Sequence, residues 1–287
     1  MMRKKPMLAY PVSAKPIDYS NPIFIQPKLD GVRCVIQYER CIQPREDVVI
    51  AYSRTGKEWK NIEHIKLNLY RFFDKFPNVI LDGELYNHDL KNDFEKIISL
   101  VRKTKPKPED RVESSEMVQF HCYDIIDEKL PFDQRIEFVN QSLMLLGDSI
   151  HIVDTIETDE SMAHFVHTQN KDKGYEGSIV RTNGAYQCKR SHNLRKFKDF
   201  SDAEAYIVGY EEGKGKRVGT LGKFVMQDED GNKFGCPPGR GYNYQDMRDM
   251  LKDIHKYMGQ TATFTYFERT KAGSYRHPLF KAIRDYE

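Results

Sequence analysis

Lys28-Leu29-Asp30-Gly31-Val32-Arg33 places a lysine, an acid and an arginine around one glycine. An apolar run, residues 23–25, precedes this segment, and apolar residues recur at every second position after it, at 32, 34 and 36. This alternation is typical of a β-strand, so we predict that two strands flank the turn. Asp-Gly is also typical of an exposed hairpin turn, and the segment by itself would fit that description. The flanking strands favour a rigid site.

The chain has 287 residues, of which 39% are hydrophobic, enough for one large domain or for a large and a small one, each with its own core. Residues 1–10 carry basic side chains without an apolar run behind them, so we expect neither a signal peptide nor a membrane span, and an intracellular protein that is not secreted. The net charge is only +2, so affinity for a polyanion would have to come from local basic patches. No Cys-x-x-Cys pair occurs among the five cysteines, which argues against a disulfide framework and a zinc site.

Up to about residue 200, strand-like and helix-like segments alternate irregularly, which predicts an α+β domain built on antiparallel sheets. Apolar spacing predicts one helix from Ile62 to Phe72 and another from Ile136 to Leu143. The basic segment Val101 to Arg111 contains two prolines and is predicted to be an exposed loop, either a solvated linker or a loop that contacts phosphates. The predicted strands are Val48–Tyr52, Val79–Glu84, Val118–Asp124, Gly177–Arg181 and Leu194–Lys198.

After Phe200 the sequence changes to short strands separated by glycine turns, interrupted by one helix at about Tyr244–Met258. About five short strands and one helix predict a small OB-fold β-barrel, although an SH3-like barrel would give a similar pattern. We therefore expect a first domain over residues 1–200 and an OB-fold domain over 201–287. The predicted strands are Glu204–Tyr210, Leu221–Asp228, Lys233–Pro237 and Thr261–Arg269.

Five further clusters follow the Lys28 segment. Taken singly, each cluster is explained at least as well by an ordinary turn, a core tyrosine or a regular strand as by a functional site. Lysines two apart on a strand point to the same face, so Lys196 and Lys198 are expected to act together. The clusters are Ser53-Arg54-Thr55-Gly56, Leu81-Asp82-Gly83-Glu84-Leu85-Tyr86, His121-Cys122-Tyr123-Asp124, Tyr175-Glu176-Gly177-Ser178-Ile179-Val180-Arg181 and Lys196-Phe197-Lys198.

In type, order and spacing, these segments resemble the signature motifs of covalent nucleotidyltransferases, and most closely those of ATP-dependent DNA ligases of the minimal viral and bacterial type. The glycine- and lysine-rich run from Gly213 to Gly222 resembles the start of a ligase OB domain, and residues 276–284 are similar to the ending of minimal ligases. The resemblance covers nearly the whole chain. It implies a nucleotidyltransferase (adenylation) domain followed by an OB-fold domain.

The resemblance also implies roles for individual residues. Lys28 would accept AMP as the nucleophile, with Lys196 and Lys198 as further catalytic residues. The implied nucleotide-binding residues are Gln26 near the adenine, Arg33 and Glu84 at the ribose, Tyr123 stacked on the adenine, and Arg276 at the β,γ-phosphates. Glu176 and Asp30 would bind Mg²⁺ or Mn²⁺. Arg54 would meet the 5′-phosphate of a nick, and Lys214, Lys216 and Arg217 would contact DNA phosphates.

The implied chemistry makes a specific demand on Lys28. A lysine must be neutral to attack the α-phosphate of ATP, yet a free lysine has a pKa of ~10.4. Cations nearby would lower that pKa and would also stabilise the charge that develops as pyrophosphate leaves. Lys196, Lys198 and bound metal are the candidates. Gln26 departs from the glutamate that the family often carries there, and its amide can still form a hydrogen bond with adenine.

The resemblance implies an enzyme that seals 5′-phosphate/3′-hydroxyl nicks in duplex DNA through a lysyl-AMP intermediate, with ATP as cosubstrate. Its typical settings would be DNA repair, replication and recombination, and we expect a monomer without a separate domain before Lys28. The alternatives are an RNA ligase, an mRNA capping guanylyltransferase that would form lysyl-GMP, and a non-catalytic OB-type nucleic-acid-binding protein. Label from ATP or GTP on Lys28 would separate them.

Overall fold

The computed structural model describes residues 4–15, 17–39, 48–91, 93–144, 146–197, 201–239, 241–266, 268–269 and 273–284. Contacts within the chain define two compact units, Met1–Lys198 and Asp199–Glu287. Both strands and helices are present and most strand pairs are antiparallel, so the predicted α+β class is confirmed.

In its described residues, the first unit contains two five-stranded sheets and five α-helices. Its strands are β1 (Leu8–Pro11), β2 (Ile23–Pro27), β3 (Val32–Glu39), β4 (Val48–Tyr52), β5 (Ile80–Tyr86), β6 (Gln119–Ile125), β7 (Ile150–Ile152), β8 (Ile156–Thr158), β9 (Ser178–Thr182) and β10 (Arg190–Phe197). Its helices are α1 (Glu63–Lys75), α2 (Phe94–Val101), α3 (Pro108–Met117), α4 (Phe132–Leu143) and α5 (Glu160–Asp172). One sheet has the order β1-β10-β9-β2-β8 and the other β4-β3-β5-β6-β7.

The segment around Lys28 carries the chain from one sheet to the other. The two predicted flanking strands exist as β2 and β3, but they do not pair with each other. β2 pairs with β8 and β9, while β3 pairs with β4 and β5. Alternating side chains identify a strand but not its partner. The hairpin that the Asp-Gly turn could form by itself is not present, because the two strands belong to different sheets.

The main core lies against the second sheet, where helices α1, α2 and α4 cover it. Ile65, Leu69 and Phe72 of α1 recur at helical spacing and are at most 3% exposed, which confirms the first predicted helix. Val139 and Leu143 of α4 are also buried at helical spacing, which confirms the second predicted helix. Most of the stability of these helices comes from burying such an apolar stripe rather than from intrinsic propensity.

The predicted loop from Val101 to Arg111 is shorter than expected. Helix α2 extends to Val101 and α3 begins at Pro108, so only residues 102–107 connect the two helices. A proline is well suited to the first position of a helix because its missing N–H would have no partner there. The Asp110 carboxylate accepts a hydrogen bond from the Lys107 N–H at 2.9 Å and helps to start α3.

Over the part of the chain that the structure describes, the second unit has a five-stranded antiparallel sheet, a short strand pair and one α-helix. The sheet order is β13-β12-β11-β14-β17, and Phe280 of the last strand exchanges backbone hydrogen bonds of 2.9 Å with Pro237 and Gly239, just beyond the opposite edge strand. These bonds join the two edges, as in a barrel. The elements are β11 (Ser201–Glu212), β12 (Leu221–Gln227), β13 (Lys233–Cys236), α6 (Tyr244–Lys252), β14 (Thr261–Tyr266), β15 (Glu268–Arg269), β16 (Tyr275–Arg276) and β17 (Leu279–Ile283).

The helix predicted over Tyr244–Met258 is α-helical only to Lys252 and continues as a 3₁₀ turn over Ile254–Lys256. Asn243 caps its start by accepting hydrogen bonds from the N–H groups of Gln245 and Asp246. Four of the five cysteines lie in the described residues and are free thiols. Among the described helices, none has the length and apolarity that a membrane crossing requires.

Candidate active site

A cavity of about 280 Å³ lies beside the segment that joins the two sheets of the first unit. Strands of both sheets contribute to its wall, and seven of the residues singled out from the sequence line it: Gln26, Lys28, Arg33, Arg54, Glu84, Tyr123 and Lys196. The remaining lining residues are Leu8, Ala9, Pro27, Leu29, Ile179, Arg181, Arg190, Leu194. One acidic and several basic side chains therefore converge on a partly open cavity, as expected of a site for an anionic ligand.

Lys28 follows directly on β2, and its backbone is fixed on both sides. Its N–H donates to the Gly177 carbonyl at 2.9 Å, and its own carbonyl accepts from the Glu176 N–H at 3.2 Å. The Lys28 ammonium forms an ion pair with the Glu176 carboxylate, whose side chain is 6% exposed compared with 22% for the lysine. This carboxylate favours the charged form of Lys28, so the neutral amine that an attack requires needs another cation to offset Glu176.

Gly31 allows the turn after Lys28 to approach strand β5 closely. A Cβ at this position would lie 2.5 Å from the Leu85 carbonyl oxygen and 2.7 Å from Cγ of Glu84. Only a residue without a side chain fits against this backbone. The glycine therefore brings the Lys28 segment next to the carboxylate-bearing strand.

Arg33 lines the cavity but is held firmly within the protein. Its guanidinium makes two hydrogen bonds to the fully buried Asp82 carboxylate, at 2.6 and 2.5 Å. Tyr186 also donates to Asp82, at 2.6 Å. A bidentate pair of this kind fixes the plane of the guanidinium. The ribose contact assigned to Arg33 stays a prediction.

Gln26 is almost completely buried, and its side-chain amide is occupied by protein groups. Its nitrogen donates to the Tyr123 carbonyl at 3.1 Å and to the Thr155 hydroxyl at 2.9 Å, while its oxygen accepts from the Arg181 guanidinium at 2.6 Å. Gln26 thus holds the backbone of Tyr123. An influence of Gln26 on a bound base would act through that residue.

A buried charge network continues from Gln26 into the core. The fully buried Asp124 carboxylate accepts hydrogen bonds from Arg135 at 2.7 and 3.1 Å and from Arg181 at 2.7 Å. Sequence reasoning gave no role to Asp82, Asp124 or Arg181. An acid at an interior position of a strand was the available signal, but the arginine partners come from other segments that the sequence does not connect.

Glu84 and Tyr123 lie side by side on neighbouring strands, where the Tyr123 hydroxyl donates to the Glu84 carboxylate at 3.3 Å. Burial raises the pKa of Glu84 to about 7, while the positive charges of Arg33 and Lys28 act in the opposite direction. The Arg33 and Arg181 guanidiniums lie 5.1 and 5.4 Å from the centre of the Tyr123 ring. Adenine stacking on this ring stays a prediction.

Lys196 reaches the cavity from β10, where it is paired with Ile179 of β9. Lys198, its predicted companion, lies outside the described residues. Arg54 is exposed on a tight turn closed by a 2.9 Å hydrogen bond from the Gly56 N–H to the Ser53 carbonyl. It also lines a second, more open cavity of about 660 Å³. Asp30 is not among the described residues that line the first cavity.

The remaining assigned residues lie in the second unit. Lys214 and Lys216 are exposed in the turn between β11 and β12. Arg217 is half-buried in the same turn and donates to the Met247 sulfur of α6 at 3.4 Å, so it packs on the helix. Arg276 belongs to β16, but its side chain lies outside the described part of the chain. A DNA contact by any of these residues stays a prediction.

A family model of the ATP-dependent DNA ligase domain matches residues 6–198, which contain the whole cavity. The chain belongs to the ATP-dependent DNA ligase family. A second model, of the DNA ligase OB-like domain, matches residues 212–284 and identifies the second unit as OB-like. The predicted ligase resemblance and the predicted combination of folds are thus confirmed.

Several relatives of this ligase-family chain are themselves named DNA ligases. The DNA ligase of African swine fever virus is 33% identical over 291 residues, covering 91% of this chain and 65% of the viral protein. The DNA ligase of Haemophilus influenzae is 23% identical and covers 73% of each chain. The chain thus spans slightly less than two thirds of the length of the viral relatives that it matches.

Solved ligase structures share the fold. A Lig E DNA ligase superposes with a TM-score of 0.76 at 22% identity, covering 99% of this chain and 100% of its own. The ATP complex of the bacteriophage T7 ATP-dependent DNA ligase has a TM-score of 0.56 at 19% identity, with 98% of each chain covered. At these identities the likeness concerns the fold alone.

Proposed function

We propose that this chain is an ATP-dependent DNA ligase that seals nicks between a 5′-phosphate and a 3′-hydroxyl in duplex DNA. The observation that carries the proposal is the position of Lys28 in the wall of the cavity, in contact with Glu176 and among basic side chains. Membership of the ligase family supports the same reaction. The nucleotidyltransferase domain would comprise residues 1–200 and the OB-fold domain 201–287, in a monomeric enzyme.

In the first step, the neutral Lys28 amine attacks the α-phosphorus of ATP. A nitrogen–phosphorus bond forms and the bond to pyrophosphate breaks, so AMP becomes attached to the lysine. Lys196, together with Lys198, holds positive charge where the phosphate oxygens become more negative, which stabilises the transition state more than the ground state. Glu84 and Arg33 would orient the ribose, and Tyr123 would support the adenine.

Glu176 would hold a Mg²⁺ or Mn²⁺ ion, with Asp30 as a second candidate. Among the described residues, no group of three or more His, Cys, Asp and Glu side chains is arranged as a metal cage. Mg²⁺ suits such a site because it commonly uses one or two protein carboxylates together with substrate phosphates and water. Bound there, the ion would supply positive charge to the phosphates and offset the effect of Glu176 on Lys28.

In the later steps, the AMP moves to the 5′-phosphate at the nick, and the 3′-hydroxyl then displaces AMP and closes the backbone. Arg54 would bind the 5′-phosphate, since its turn opens to both the nucleotide cavity and the wider second cavity. Lys214, Lys216 and Arg217 would grip DNA phosphates, and Arg276 would contact the β,γ-phosphates of ATP. Such contacts position the DNA without reading its sequence.

The test begins with ATP or GTP labelled at the α-phosphate, incubated with the chain and Mg²⁺ before denaturing electrophoresis. We expect label from ATP to remain on the protein, to disappear in Lys28→Ala and to persist in Lys252→Ala, a control at an exposed lysine of α6. Label from GTP alone would indicate a capping enzyme instead. Absence of label with either nucleotide would favour a binding protein without catalysis.

Nicked duplexes then identify the polymer. A 5′-phosphorylated DNA nick should be converted into a sealed strand, with AMP-capped DNA accumulating transiently. A matched duplex with RNA strands serves as the comparison. Faster sealing of the RNA duplex would assign the chain to RNA ligation and overturn this part of the proposal.

A further inference from the structure

His88 lies two residues after the end of β5, at the start of a short 3₁₀ turn over His88–Leu90. Its ring nitrogen Nε2 lies 3.1 Å from the Lys173 carbonyl oxygen, and Nδ1 lies 2.8 Å from the Tyr86 hydroxyl. Because a carbonyl can only accept, Nε2 must carry the proton. In the neutral ring, Nδ1 then accepts from Tyr86, so both nitrogens are satisfied at once.

These two hydrogen bonds join the segments that carry the active-site carboxylates. Tyr86 is two residues after Glu84 on the same strand, and Lys173 is three residues before Glu176. The His88 ring also packs against the Tyr175 ring, with 4.5 Å between the ring centres. His88 therefore contacts the turn that presents Glu176 through both a hydrogen bond and a ring contact.

Tyr86 and Tyr175 also pack around Leu29, the residue that follows Lys28. Tyr86 and Leu29 are buried together in a small cluster against which Tyr175 packs. The backbone of Lys28 is hydrogen-bonded to Glu176 and Gly177, so the Lys28 segment and the turn that carries Glu176 are coupled. A displacement of residues 173–176 would strain these bonds and alter the approach of the Glu176 carboxylate to the Lys28 amine. His88 is not among the residues that line the cavity, which leaves it outside direct contact with a bound nucleotide.

We propose that His88 is a positioning residue that fixes the Glu176 carboxylate against Lys28. The inference rests on the proposed function, because the transfer of AMP to Lys28 is the step that it would affect. Groups that orient the ligands of a metal site typically change metal affinity or activity about 10- to 100-fold when removed, and Glu176 is the proposed metal ligand. We expect a loss of that size for His88→Ala.

The experiment measures the rate of lysyl-AMP formation in a single turnover at saturating ATP. His88→Ala should slow this rate about 10-fold or more, whereas His88→Gln should recover much of it, because an amide can still donate to the Lys173 carbonyl and accept from Tyr86. Tyr86→Phe should give an intermediate loss. His255→Ala is the control, since His255 is exposed in the second unit, in the 3₁₀ turn Ile254–Lys256, and does not line the cavity. Thermal unfolding of each variant identifies any that fails to fold.

A double-mutant cycle distinguishes positioning from a general structural effect. If His88 acts through Glu176, His88→Ala should cause little further loss in a Glu176→Gln background. Losses that multiply would overturn the inference, as would an unchanged rate in both His88→Ala and Tyr86→Phe. If wild-type chain forms no adduct with ATP, the proposed function fails and the inference with it. An adduct in wild type with normal rates in the variants removes the inference alone.

Discussion

Gly31 allows the turn after Lys28 to lie close to β5, the strand that carries Glu84. A methyl group there would lie within 2.7 Å of both the Leu85 carbonyl and the Glu84 side chain. We expect Gly31→Ala to lower the free energy of unfolding by about 1–3 kcal/mol, a typical cost of overpacking, and to slow adenylation. Denaturant titration and single-turnover labelling measure the two effects.

Gly209→Ala is the control for this prediction. A Cβ at residue 209 would make an ordinary contact of 3.4 Å with Val225, so little change is expected. Equal stability of Gly31→Ala and wild type would show that the turn can move away from β5 at low cost. It would contradict the conclusion that only glycine fits at this position.

Glu84 should make stability depend on pH. Its pKa is raised by burial from 4.5 to about 7, so the folded state binds a proton more tightly than the unfolded chain does. Its contribution to stability is therefore fully present below pH 4.5 and is lost as pH rises towards about 7. Glu84→Gln should remove this loss, stabilising the protein relative to wild type by about 1–3 kcal/mol above neutral pH and less at low pH.

Unfolding free energies measured from pH 4 to pH 8 test the prediction for Glu84, with Glu116→Gln at an exposed helix position as the control. A difference between Glu84→Gln and wild type that does not grow with pH would show that Glu84 does not titrate in this range.

At the scale of secondary-structure elements, the buried network around Asp124 joins β6, α4 and β9. Asp124→Asn would leave two buried arginines, Arg135 and Arg181, without a charged partner. Breaking a buried pair in this way typically costs about 3–5 kcal/mol. We expect a loss of this size in denaturant titration, against almost none for Asp148→Asn at an exposed position. A loss below about 1 kcal/mol would mean that the arginines are compensated in another way.

Strands and amphipathic helices were predictable because their signals are local. β2, β3 and the stripe on α1 are visible as apolar periodicity, and the segments that resemble ligase motifs were recognised by their residue types and spacing. Sheet membership was not predictable, since the same alternation suits a hairpin or two different sheets. The partners of Asp82 and Asp124 were missed for the same reason. Each pair is formed by residues distant in sequence, and its energy depends on burial.

For the whole molecule, a net charge of +2 means that the proposed DNA affinity would have to come from local basic segments. Lys214 and Lys216 are exposed in the β11–β12 turn. Replacing both with alanine should weaken binding to nicked DNA similarly for all sequences and should reduce the slope of log affinity against log salt by about 1 for each phosphate that the variant no longer neutralises. Fluorescence anisotropy at several salt concentrations measures this, with Lys252→Ala as the control.

An unchanged salt slope in the Lys214→Ala, Lys216→Ala double variant would show that these two lysines do not contact DNA phosphates. Adenylation should be unaffected in the same variant, because neither lysine lines the cavity beside Lys28. Weak DNA binding with normal lysyl-AMP formation would therefore locate the defect in the DNA contact.

The proposed reaction requires the Lys28 amine to become covalently bonded to AMP. Mass spectrometry of peptides from ATP-treated protein tests it most directly, with Lys28→Ala treated in parallel. We predict one adenylate on the peptide that contains Lys28, formed only with ATP and a divalent metal and removed when nicked DNA is added. An unmodified Lys28, or an adenylate on a different lysine, would contradict the account.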